Sequence, residues 1–81
     1  MEQEAISVEQ IRAARALLGM SQANLAAQVG FSSMTIKRAE GIGQPYPSAD
    51  AIAAIRAALE TAGVIFLSEN GNGPGVALRK D

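Results

Sequence analysis

The segment Gly19-Met-Ser-Gln-Ala-Asn-Leu-Ala-Ala-Gln-Val-Gly-Phe-Ser-Ser-Met-Thr-Ile-Lys-Arg-Ala-Glu-Gly41 leaves its chain few ways to fold. It reads as two short helices joined by a tight turn. Ser21 is placed to cap the first, because a side-chain oxygen there satisfies amide donors left free at a helix start. Leu25, Ala26 and Val29 follow at the spacing that keeps one helical face apolar. Gly30 then supplies the left-handed conformation that ends a helix at little cost. Phe31 comes next, and Ser32 is placed to cap again. The second helix, expected from Ser33 to about Glu40, has two unlike faces. Ile36 and Ala39 can point inward, while Ser33, Met34, Lys37 and Arg38 are related by three- and four-residue steps and share the other side.

The chain around this segment is small. Its 81 residues make one domain, near the size where a single core barely suffices. It contains no cysteine and no histidine, which excludes disulfides and argues against the usual zinc sites; no metal and no cofactor are expected. The formal net charge is −1, which argues against an indiscriminate polyanion binder. The distribution says more. From Gln10 to Ala39 the charged residues are Arg12, Arg15, Lys37 and Arg38, all basic. A local basic zone in a nearly neutral chain suits specific binding with a limited phosphate footprint. The acidic N-terminus lacks a signal-peptide pattern, and the apolar run 64–67 is far too short to span a bilayer, so a soluble cytoplasmic protein without a membrane partner is expected.

Residues 1–6 look like a flexible tail. Ser7-Val-Glu-Gln10 is a capping-box pattern opening a helix to about Leu18, with Val8, Ile11, Ala14 or Arg15, and Leu18 on its inner stripe. A lone charge on that stripe would be expensive, so Arg15 is expected in an ion pair, with Glu40 as its partner. Arg12 points elsewhere on the helix and better suits a phosphate contact. After a loop carrying Pro45 and Pro47, Ser48 caps a helix over about 49–62, striped by Ile52, Ile55, Leu59 and Ala62 and ended by Gly63. This longest helix should floor the core, closing a domain over 7–62.

Residues 63–81 change character. The runs 64–68 and 75–79 have strand composition, and Glu69-Asn-Gly-Asn-Gly-Pro74 between them is a dense turn signal. The expectation is a β-hairpin that either folds onto its own core or uses Val64, Ile65, Phe66 and Leu67 as a dimer contact. The glycines at 71, 73 and 75 lack the following helix that a phosphate-binding loop needs, so they read as turn. No paired carboxylates and no activated nucleophile are present, so an enzyme is not expected, and no small-molecule ligand is indicated.

A short helix held from behind, with polar and basic groups in front, has the shape that enters a DNA major groove. The residues Ile11-Arg-Ala-Ala-Arg15, Leu18-Gly-Met-Ser-Gln-Ala-Asn-Leu-Ala26, Val29-Gly30, Thr35-Ile36 and Glu40-Gly41 carry a wider likeness. Over about 10–59 the chain resembles the Cro/C1-type, or XRE-family, helix-turn-helix regulators of bacteria and phages. The resemblance implies a mainly α, four-helix lambda-repressor-like domain. It implies that Gln22 bonds a DNA phosphate, that Ser33, Met34 and Arg38 project toward base edges, and that Ser32, Thr35 and Lys37 flank them on backbone or bases. It also supports the Arg15–Glu40 pair as structural.

Two departures matter. Ser33 and Met34 cannot make the two-pronged bonds that Gln or Asn make to adenine, so readout shifts to Arg38 on guanine, a thymine methyl at Met34 and DNA shape. A C-terminal hairpin also stands where such regulators commonly carry a fifth helix. The expected function is a sequence-specific binder of double-stranded DNA, a homodimeric repressor with half-sites about one helical turn apart. The rivals are an antitoxin-like module that also grips a partner protein through the hairpin, and a protein-interaction scaffold without DNA affinity.

Overall fold

The computed structural model describes residues 5–68 and 71–80; within them the chain forms four helices and a two-stranded antiparallel hairpin. The helices are α1 (Val8–Leu17), α2 (Gln22–Val29), α3 (Ser33–Ala39) and α4 (Ala49–Thr61), and the strands are β1 (Val64–Leu67) and β2 (Gly75–Leu78). All four helices begin at a serine that accepts an amide N–H three residues on: Ser7, Ser21, Ser32 and Ser48. At α1 the capping box is reciprocal, since Gln10 Oε1 accepts the Ser7 N–H at 2.8 Å while Ser7 Oγ accepts that of Gln10 at 3.1 Å. Gly30 adopts φ 77° and closes α2 with its N–H on the Ala26 carbonyl at 2.9 Å. A side chain there would carry left-handed strain of roughly 1–2 kcal/mol.

The core is a cluster of Ile11, Ala14, Leu25, Ala26, Ile36, Ala39, Ile55, Leu59 and Val64, joined by Ile6. The packed pairs are α2 with α3 and α4, α1 with α4 and β2, and α4 with β1. Helix α4 therefore does floor the core, and the hairpin lies across α1 and α4.

Three expectations change. Ile6, assigned to the tail, is buried in the core; of that tail, residues 1–4 lie outside the described residues. On α4 the buried positions are Ala51, Ile55 and Leu59, whereas Ile52 is half-buried and Ala62, the C-cap, is exposed. The turn signal of 69–74 includes residues 69–70, outside the described set, but Gly75 opens a strand rather than a helix.

The third change concerns the hairpin. Its register pairs Val64 with Leu78, Ile65 with Ala77, Phe66 with Val76 and Leu67 with Gly75. Alternation along β1 turns Val64 and Phe66 inward and Ile65 and Leu67 outward. Val64 is 1 % exposed. Phe66 is half-buried beneath the Arg56 guanidinium, 5.4 Å from its ring centroid. These two residues thus belong to the chain's own core and are not a free dimer contact. No helix among the described residues is long and apolar enough to cross a membrane.

Candidate nucleic-acid interface

Glu40 organises the elements behind the candidate face. It is the C-cap of α3 and only 2 % exposed. Arg15 Nε donates to its Oε2 at 2.7 Å and Arg15 Nη2 to its Oε1 at 3.0 Å, a two-pronged pair between α1 and the end of α3. Arg15 Nη1 continues to the Met20 carbonyl at 3.0 Å, which ties in the turn before α2. The ion pair expected from the apolar stripe is therefore present, and its geometry is the strong, planar kind.

Two further side chains converge on the same residue. Gln22 Nε2 donates to Glu40 Oε1 at 3.2 Å, and Arg12 Nη2 donates to the Glu40 backbone carbonyl at 3.0 Å. These are the two residues expected at phosphates, and in the structure each donates a hydrogen bond to Glu40. Arg12 is exposed and Gln22 half-buried, so the network reaches the surface at the first turn of α2. Burial is the largest effect on the Glu40 carboxyl and raises its pKa. Hydrogen bonds from Arg15 and Gln22, with the charges of Arg15 and Arg12, outweigh it and hold the carboxyl below its ordinary value. Glu40 is thus an anion whose charge is matched inside the protein. It is also the only acidic residue between Glu9 and Asp50.

The face that this network supports is the outer side of α3. Ile36 and Ala39 point inward with no exposure, as their spacing predicts. Ser33, Met34 and Lys37 are exposed. Met34 is 48 % exposed, which excludes a core role for it. Ser32 and Thr35 face each other, with their hydroxyls 3.2 Å apart, while Ser32 Oγ also accepts the Thr35 N–H. Their hydrogen-bonding capacity is partly spent on the cap. Arg38 departs from the expected pattern: it is half-buried, and its Nε is the one buried side-chain nitrogen or oxygen without a hydrogen-bond partner among the described residues.

Two residues were missed from sequence. Gln10 is 6 % exposed, and beyond its capping role its Nε2 donates to the Leu67 carbonyl at 3.2 Å and the Gly75 carbonyl at 3.0 Å, fastening the hairpin to α1. A signal existed, since Gln10 lies four residues before Ala14 and so on the inner side of the helix. Phe31, in the turn leading into α3, is 38 % exposed.

The described residues contain no cluster of three or more His, Cys, Asp or Glu side chains able to hold a metal. Chemically, the α3 face offers one ammonium, one guanidinium, hydroxyls and a thioether, with no exposed carboxylate on α2, the turn or α3. That set can pair with phosphate and with base edges, and it repels nothing anionic. Comparison with protein-family models and with curated proteins returns no match for this chain.

Proposed function

We propose that this protein is a sequence-specific double-stranded DNA-binding regulator of the Cro/C1 helix-turn-helix kind, in which α2 and α3 form the lambda-repressor-like motif and α3 enters the major groove. The carrying observation is the charge arrangement about α3. The single carboxylate of the 10–49 stretch is buried beneath Arg15, while Lys37 is exposed and Arg38 keeps an unpartnered Nε at the edge of the same face. A buried donor left unmade costs about 1–3 kcal/mol, so a rearrangement of Arg38 toward a base edge recovers what the free protein forgoes. Lys37 supplies a point charge for phosphate.

In this reading the protein works as a homodimer on a two-fold-related site and represses by occupancy. The outward side chains of β1, Ile65 at 41 % and Leu67 at 44 % exposure, support a contact with a second copy. A sheet face packed against its own copy across a two-fold axis is self-complementary. The test is titration of purified protein into duplex from upstream of its own gene and into a scrambled control, at two salt concentrations. Tighter, salt-weakened binding to the upstream duplex supports a self-regulating repressor. Absence of binding to either at low salt removes the reading and favours a protein-interaction role for the hairpin.

A further inference from the structure

We infer that Arg12 is a positioning residue for α3, acting on DNA recognition through its bond to the Glu40 backbone carbonyl and not through a phosphate; this rests on the DNA-binding reading above. The bond fixes how the last turn of the helix, with Lys37 and Arg38, is presented. Little else holds that end of α3. The helix has seven residues and packs chiefly on α2. Its C-terminal end meets one face of α1, where Val8, Arg12 and Arg15 follow at four- and three-residue steps. Val8 side-chain carbons lie 3.5–3.8 Å from where a Cβ on Gly41 would stand, so α1 abuts the backbone just past the helix.

Arg15 and Arg12 hold Glu40 by different parts. Arg15 grips the carboxylate, which rotatable side-chain bonds separate from the main chain. Arg12 Nη2 donates to the main-chain carbonyl itself at 3.0 Å. That carbonyl belongs to the C-cap, at a helix end where acceptors lack an intrahelical donor. Bonding it to α1 fixes the terminal peptide relative to the body of the domain. Side chains of the last turn take their direction from that backbone, and Arg38 and Lys37 stand just before it.

The experiment compares wild type with Arg12→Met, Arg12→Lys and a synthetic full-length chain carrying citrulline in place of Arg12. Citrulline keeps the terminal N–H donors and removes the charge. Met removes both, and Lys keeps a charge and a donor. A duplex enriched by wild type from a random pool and a scrambled control are titrated at several salt concentrations. Arg12→Met should lose roughly threefold to tenfold on the enriched site, the effect of leaving one interface element less ordered, and little on the control. Its salt slope should match wild type, and citrulline and lysine should both restore affinity. Amide exchange gives a readout independent of DNA. The amides of Glu40, Gly41 and Ile42 close the end of α3 and should exchange faster in Arg12→Met, at the wild-type rate with citrulline, and without change in α4. Thermal unfolding should move little, because Arg12 is exposed and water can take its place on the carbonyl.

Equal losses on both duplexes, with a salt slope lowered by about one, overturn the inference and assign Arg12 to a phosphate. A citrulline chain that behaves as Arg12→Met does so too, since the charge and not the bond then carries the effect. Unchanged exchange at residues 40–42 in Arg12→Met removes the bond's hold on α3. Each of these leaves DNA binding standing. Failure of wild type to enrich any sequence overturns both readings.

Discussion

Arg15 and Glu40, 25 positions apart in sequence, form an ion pair of unequal exposure: the arginine side chain is 21 % accessible and the carboxylate 2 %. That inequality decides which partner can be removed more safely. Arg15→Ala strands a carboxylate that cannot reach water, and should cost about 3 kcal/mol of stability. Glu40→Gln leaves an arginine that can turn to solvent and still meets an amide oxygen, for roughly 1–2 kcal/mol. Denaturant unfolding of the two variants checks the order. Equal losses would mean that the carboxylate is less enclosed than described.

The same pair sets an acid limit. Arg15 is a guanidinium and stays charged throughout the acid range, and its hydrogen bond to Glu40 raises its pKa further. The folded Glu40 pKa lies below its ordinary 4.5, because the hydrogen bonds and cations together overcome burial. A group depressed by folding contributes stability above its unfolded pKa and loses it as pH falls through the folded one. The thermal midpoint should therefore hold its Glu40 contribution above about pH 5 and lose it progressively below. In Glu40→Gln this component of the acid loss should vanish.

Gln10 predicts a different kind of failure. Its amide nitrogen serves the carbonyls of both Leu67 and Gly75, so Gln10→Leu removes the donor shared by the two strands. The expected loss is about 1–3 kcal/mol, with amide exchange rising in β1 and β2 more than in the helices. Gln10→Glu should be worse at neutral pH, since a carboxylate would face two carbonyl oxygens. Uniform exchange across helices and strands would show that Gln10 matters only as a cap partner.

On DNA, Arg38→Ala and Lys37→Ala should separate. The first should relax preference at one base pair, costing about 1–3 kcal/mol on the correct site. The second should weaken all sequences alike and lower the salt slope by about one. Band-shift titrations on specific and scrambled duplexes at several salt concentrations distinguish them. A uniform loss for Arg38→Ala contradicts its assigned role.

The exposed residues of β1 carry the dimer prediction. Ile65→Lys or Leu67→Lys places a charge on the outer face, away from the core. Sedimentation analysis should show the dimer replaced by monomer with the thermal unfolding of the monomer unit retained. A wild type that sediments as a monomer at all concentrations defeats this part of the reading.

Much of the architecture was legible because its signals are local. Each helix opens at a serine whose oxygen meets an amide three residues away, and Gly30 and Gly63 stand just past helix ends at positive φ. The inward positions of α3 followed from spacing alone. The hairpin is visible as two short β-prone runs around a turn, but alternation along a strand does not say whether a face meets its own core or a second copy.

The chain's own residue order determined the elements, the caps and the inner stripes, since these depend on contacts within one helical turn or on a two-residue alternation. It also pointed to Glu40 as the candidate partner of Arg15, because a lone charge on an apolar stripe is expensive and the family resemblance supports the pair. Tertiary structure alone decided how polar side chains are shared. Gln22 and Arg12 turn to Glu40, Gln10 spans cap and hairpin, Arg38 tucks its Nε beneath the surface, and Val64 and Phe66 face the helices. These choices join residues far apart in sequence. They follow from which surfaces meet when α1, α4 and the hairpin pack, since only then does each buried donor or acceptor find its partner.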